Sequence, residues 1–183
     1  PANPTLISSI SLKPYGIDLN SVACNNGLVA TCVIDSLGKT VNGKVVFFNT
    51  SGTFLKQVRV GANPDMVTFT KDGKKAVVAN EGEPSDYRLV DPVGSVSIID
   101  LSNGIANLSQ ANVTTAGFTA FNNTTLDFRI KITGRVLDSA GNFLRNSTVA
   151  EDLEPEYVSI NDEGTMAWVT CQENNCLAEV ILN

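Results

Sequence analysis

A six-residue block recurs in this chain at a fixed distance, and no other feature limits the fold as tightly. Pro64-Asp65-Met66-Val67-Thr68-Phe69 is matched 91 positions later by Pro155-Glu156-Tyr157-Val158-Ser159-Ile160. The match runs on without a gap, with Gly164 under Gly73, Ala167 under Ala76 and Val169 under Val78. A fainter copy, Leu19-Asn20-Ser21-Val22-Ala23-Cys24 followed by Asn26-Gly27, lies 45 positions before the first. Periods of about 40–50 residues, each holding several short strands, mark β-propeller blades. The competing fold is a β-sandwich whose hairpins happen to look alike. The expectation is an all-β chain, a β-propeller of which these residues cover about three to four blades.

The best-defined unit spans residues 60–102. Residues 66–70 and 76–79 are rich in β-branched side chains and flank a hairpin at Lys71-Asp72-Gly73-Lys74, where Asp-Gly supplies the positive φ a tight turn needs. A third strand over 95–100 is entered through Gly94. Earlier, 6–12 alternates as a strand, 21–24 and 28–35 form a hairpin across Asn25-Asn26-Gly27, and 43–49 and 54–60 follow. Strands over 156–160, 166–171 and 176–182 make the last unit. Approximate blades are therefore 6–60, 61–102 and 154–183 of one partial propeller domain, 1–183. From 103 to 153 the period breaks into an insertion or a worn blade, with one convincing strand at 128–132.

A ring needs at least four blades, and an unclosed one leaves a hydrogen-bonding edge at each end. The expected partners are the remaining blades of the same polypeptide or complementary chains at those edges. The net charge of −6 offers no basic stripe for nucleic acid. No apolar run approaches the roughly 18 residues of a membrane span, and no signal-peptide pattern opens the chain. It begins at Pro1 without Met and is expected to have been trimmed.

No histidine is present, which removes Ser–His–Asp and Cys–His chemistry and the usual zinc sites. Cys171 and Cys176 flank a four-residue hairpin loop at a separation a disulfide can span, the alternative being two separate buried thiols. Cys24 and Cys32 sit several rungs apart or on opposite faces and are expected as small core residues, not as a bonded pair. Asn-x-Ser/Thr triplets begin at Asn49, Asn107, Asn112, Asn122, Asn123 and Asn146. With the disulfide they point to a secreted, cell-surface setting and to glycans on the inserted stretch.

Carboxylates gather in loops that the repeat brings to one end of the propeller. Glu81, Glu83, Asp86 and Asp91 follow one strand, Glu151, Asp152, Glu154 and Glu156 precede another, and Glu173 with Asn174 lies in the equivalent loop of the last unit. Oxygen donors without nitrogen or sulfur suit calcium first and other divalent cations less well. The candidate metal ligands are Glu81, Glu83, Asp86, Asp91, Glu154, Glu156, Glu173 and Asn174. The plain alternative is that acidic residues beside Gly and Pro make solvated turns. Arg88 is the cation best placed to meet an anionic group, or simply to pair with Asp86 and Asp91.

Several of these blocks resemble one known family, the choice-of-anchor I propellers, which include the mesenchyme-specific cell-surface glycoproteins of biomineralising cells. The blocks are Gly61-Ala62-Asn63-Pro64-Asp65-Met66, Ala79-Asn80-Glu81-Gly82-Glu83-Pro84-Ser85, Asp91-Pro92, Leu153-Glu154-Pro155-Glu156-Tyr157 and Gln172-Glu173-Asn174-Asn175. The resemblance implies an extracellular ring of about seven blades, a role in surface attachment and an association with calcium-rich mineral. Cys171 and Cys176 replace apolar residues of that pattern, and a paired replacement at facing positions favours the disulfide. Three functions follow: a calcium-binding adhesive or matrix module, a metal-dependent phosphoesterase of alkaline-phosphatase type, or a structural subunit that assembles through open sheet edges. The phosphoesterase would use Glu81, Glu83, Glu154, Glu156 and Glu173 around a metal pair. No residue is assigned a catalytic role.

Overall fold

The computed structural model describes Asn3, Thr5, Leu6 and residues 8–182. It is all-β, with four separate antiparallel sheets. The first contains β1 (Asp18–Asn25), β2 (Leu28–Ile34), β3 (Asn42–Asn49) and β4 (Phe54–Ala62), hydrogen-bonded in chain order. The second contains β5 (Pro64–Phe69), β6 (Lys75–Asn80), β7 (Ser95–Asp100) and β8 (Val113–Gly117), again in order. A ribbon of β9 (Arg135–Leu137) and β10 (Phe143–Asn146) follows, then a one-turn helix, α1 (Val149–Asp152). The third large sheet is β11 (Tyr157–Ile160), β12 (Met166–Cys171) and β13 (Cys176–Ile181). The first strands of the three large sheets are neighbours, β5 touching β1 on one side and β11 on the other.

The sequence of β6 explains this stacking. Its run Ala76-Val77-Val78-Ala79 is apolar at every position, which suits a strand buried on both faces. Ala76 and Val78 pack with Ala30, Cys32, Val45 and Phe47 of the first sheet. Val77 and Ala79 pack with Val158, Ala167 and Val169 of the third. Burying a valine contributes roughly 1.5–3 kcal/mol, so two such cores fix the order of the sheets. The hairpin between β5 and β6 closes through Asp72, whose carboxylate accepts from Thr70 Oγ1 at 2.7 Å and from the Lys74 amide at 3.0 Å.

Residues 103–153 differ most from expectation. The segment 113–117 is β8, the fourth strand of the second sheet, pairing β7 from Ser95↔Gly117 to Ile99↔Val113. The expected strand at 128–132 is a turn. Asp127 captures the Arg129 amide at 2.9 Å and its guanidinium at 2.7 Å, which bends the chain there. Ile130 and Ile132 still point inward, against Phe118, Val149, Ala150 and Leu153. The alternation was therefore genuine, but it records irregular chain laid on a core. The expected strand over 6–12 includes Ile7, outside the described residues, and 8–12 is irregular.

Candidate functional site

Asn63, the last residue before β5, builds one end of the molecule. It is buried with φ of 45°, a conformation asparagine tolerates better than most residues. Its carbonyl accepts from the Glu81 amide at 3.0 Å. Its side-chain NH2 donates to Glu81 at 2.6 Å and to Glu83 at 3.2 Å, and its amide oxygen accepts from Asn20 of β1 at 3.3 Å. The loop after β6 is thereby folded back over the start of β5. Gly94 lets it close, because a Cβ there would lie 1.9 Å from the Leu153 carbonyl oxygen. Contact between the loop after β6 and the segment before β11 thus depends on a missing side chain.

The carboxylates at this end form two groups. In the first, Arg88 meets Asp91 at 3.3 Å, Asp152 at 3.4 Å and Glu154 at 3.2 Å. Asp91 also accepts from Ser147 Oγ at 2.7 Å, and Asp152 from the Thr133 amide at 2.8 Å. The three carboxylate side chains are 0, 4 and 9% exposed, so these contacts are made away from solvent. Burial pushes the Asp91 and Glu154 carboxyls up, against the pull of Arg88. Arg88 and Tyr87 both have positive φ, at 54° and 59°, and hold the guanidinium in this position. The expected ion pair with Asp91 is present, but Asp86 is exposed and outside the group.

The second group contains Asp65, Glu81, Glu83, Glu156 and Glu173. Lys39 pairs with Glu83. Burial pushes the Glu81 carboxyl up to about 7, reinforced by the charges of Glu83, Asp65, Glu154 and Glu173. Glu156 is pushed up to about 8 by burial, by a carboxyl-to-carboxyl hydrogen bond with Glu173 and by the charges of Glu173, Glu81 and Asp65. Asp65 is raised by burial and by Glu83. At neutral pH Glu81 and Glu156 therefore retain protons that isolated carboxylates would have lost.

Not every candidate ligand is available. The buried Asn174 amide donates to the carbonyls of Lys131 at 2.9 Å and Asp152 at 2.7 Å and accepts from the Glu154 amide at 3.1 Å, so it ties backbone together. Glu151 is drawn away to Arg145 at 2.7 Å and caps α1 through the Thr148 amide. Among the described residues, no three His, Cys, Asp or Glu side chains converge as a metal site. Asp65 and Asn63 were not among the sequence-level candidates. Asp65 was readable, since the 91-residue offset sets it under Glu156 and the 45-residue offset under Asn20.

Cys171 and Cys176 stand directly opposite each other across β12 and β13, and both are free thiols in this structure. Burial raises both. Cys24 pairs with Val29 and Cys32 with Ser21, too far along the hairpin to meet. Among the glycosylation triplets, the Asn49, Asn112 and Asn122 carboxamides are occupied, accepting from Thr53, Ser109 and Ala150 amides respectively. Asn107, Asn123 and Asn146 are exposed, Asn107 with its Nδ2 donating to the Asn103 carbonyl at 2.7 Å, whereas Asn49, Asn112 and Asn122 are half-buried.

Stacked antiparallel sheets with their first strands side by side define a β-propeller module. The chain belongs to the choice-of-anchor I domain family, whose pattern it matches over residues 1–183. No curated protein matches it in sequence. Similar solved structures include a eukaryotic initiation factor, 11% identical over 90% of this chain and 28% of that one, with a TM-score of 0.48. The periplasmic gluconolactonase PpgL of Pseudomonas aeruginosa is 14% identical over 88% of this chain and 55% of its own, with a TM-score of 0.41. The Cps50 (Swd1) β-propeller domain of Myceliophteria thermophila is 7% identical over 90% and 54%, with a TM-score of 0.38. The chain spans less than two thirds of the length of each of these three.

Proposed function

We propose that this chain is a binding module of an extracellular β-propeller of about seven blades, and that its carboxylate mouth takes a hard divalent cation, calcium first. The observation that carries the reading is the second carboxylate group. The charges of Asp65 and Glu173 bear on both Glu81 and Glu156, and Lys39 is already paired to Glu83. The Glu81 and Glu156 protons occupy the place a cation would take, and binding would expel them. Because no three such side chains converge among the described residues, the carboxylates must turn toward a common point as the protons leave.

An adhesive or matrix role at a cell or mineral surface accords with such a mouth, as do glycans on Asn107, Asn123 and Asn146 and a disulfide between Cys171 and Cys176. No helix among the described residues is long and apolar enough to cross a membrane. The phosphoesterase alternative gains nothing from the mouth, because Arg88, the cation best placed for an anionic substrate, is committed to three carboxylates. Calorimetric titration with calcium chloride at pH 8 tests the reading. It predicts saturable binding with proton release, lost in Glu81→Gln/Glu156→Gln, and a heat of dilution alone would refute it.

A further inference from the structure

Part of the inserted stretch reverses the charge of the chain around it. Residues 128–146 carry four Lys and Arg against one Asp, in a chain whose net charge is −6. Arg129 and Arg145 keep ion pairs with Asp127 and Glu151, and Lys131 and Arg135 are exposed. The single acid, Asp138, is folded onto the tip of the β9–β10 ribbon, where it accepts from the Ala140 amide at 2.9 Å and the Asn142 amide at 2.8 Å.

Among these cations, apolar side chains stand in solvent. Phe128 is 93% exposed, and Phe143 and Leu144 of β10 are 57 and 58% exposed. All four residues of β10 are exposed, so neither face of that strand is laid on a core. A two-stranded ribbon is marginal alone. This one is held from below by buried Val136 and by its flanks, where Ser147 donates to Asp91 and the Thr133 amide to Asp152. β9 also touches the turn at 86–88. There the positive φ of Tyr87 and Arg88 turns the guanidinium inward and leaves Tyr87, Leu89 and Val90 about half exposed. One exposed leucine needs no explanation, but apolar side chains on two touching segments mark a contact surface. These segments rise from loops at the ends of the sheets, whereas the blades of a ring stack on sheet faces.

We infer that this excursion docks on an anionic lipid bilayer. Phe128, Phe143 and Leu144 enter the boundary between headgroups and acyl chains, Tyr87, Leu89 and Val90 follow beside them, and Lys131 and Arg135 meet lipid phosphates. Charge and chemistry together select this occupant. The cations of 128–146 call for an anionic surface, in contrast to the acidic mouth below them. Leucine, valine and phenylalanine gain nothing from a soluble, hydroxyl-rich polyanion, but they gain from leaving water for hydrocarbon. Tyr87 adds an apolar ring with a polar tip, which suits the same boundary. Docking uses none of the proposed cation ligands and needs no divalent ion, so it stands apart from the cation reading.

Co-sedimentation of the 183-residue chain, made without glycans, with lipid vesicles in the presence of chelator tests it. Partition onto mixed phosphatidylserine and phosphatidylcholine vesicles should exceed that onto phosphatidylcholine alone by about tenfold at low salt, and fall as salt is added. Phe143→Asp/Leu144→Asp alters two exposed side chains, so its melting curve should match the parent while partition onto the anionic vesicles drops about tenfold. Arg135→Glu should weaken the preference for phosphatidylserine. A parent chain that stays in the supernatant with anionic vesicles would overturn the inference. So would partition that the double variant leaves unchanged, or that soluble polygalacturonate abolishes at matched ionic strength. Vesicle binding that appears only when calcium replaces the chelator would also overturn it, and would assign the contact to the carboxylate mouth instead.

Discussion

Two groups of carboxylates lie side by side at the mouth, and only one carries its counter-charge inside the fold. Asp91, Asp152 and Glu154 close on Arg88, with a hydroxyl and a backbone amide taking spare lone pairs. Asp65, Glu81 and Glu156 are instead pushed up by burial and by neighbouring carboxylates, and Glu81 and Glu156 retain protons near neutral pH. The contrast separates two uses of buried charge. The first group fastens the inserted stretch to the loop after β6 and is structural. The second sets carboxyls at a neighbouring position that keep protons a bound cation would displace.

The largest effect should come from removing the counter-charge. Arg88→Met strands three buried carboxylates and should cost about 3–5 kcal/mol in urea unfolding at pH 7. A change within error would mean that the first group does not hold the insertion. In the second group the sign reverses. Glu81 and Glu156 have folded pKa values raised from 4.5 to about 7 and about 8. Between pH 4.5 and 8 the folded chain thus binds more protons than the unfolded one, and stability falls as pH rises through that window. Glu156→Gln should therefore stabilise by about 1 kcal/mol at pH 8, after screening is allowed for, and have no effect at pH 4. A loss at pH 8 would break the comparison.

Glu151 provides a control of opposite sign. Its hydrogen bonds from Arg145, and then from Thr148, hold its carboxyl down at about 2 against some burial. Its contribution is full above pH 4.5 and lost as pH falls toward 2. Glu151→Gln should cost about 1 kcal/mol at pH 7, a capping-box effect, and flatten the acid limb of thermal melts. The smallest effect concerns glycans. In a glycosylating host, peptide mass spectrometry should find them on Asn107, Asn123 or Asn146 and not on Asn49, Asn112 or Asn122, with little change in stability.

The framework was legible because strands buried on both faces must be apolar throughout, as in Ala76–Ala79, and because the repeat puts equivalent residues on equivalent strands. The insertion was not. Ile130 and Ile132 alternate like a strand because they pack onto a core, and nothing local reveals that Asp127 bends the chain at Arg129. The β8 strand was hidden by its Thr-rich, half-exposed sequence. At the mouth, the acidic loops could be named from composition and repeat. Their division into neutralised and proton-loaded groups could not, because Arg88 finds Asp152 and Glu154 some 64 and 66 positions away, through a fold-back set by Gly94.

Whether the proton-loaded group takes a cation is tested most directly by the melting temperature against pH with and without calcium. Calcium should raise it at pH 8, the rise should fade toward pH 5 as Glu81 and Glu156 take up protons, and chelator or Glu156→Gln should abolish it. Melting curves that superimpose with and without calcium at pH 8, in a chain whose stability still falls from pH 5 to 8, would leave the protonated carboxyls in place and contradict the cation.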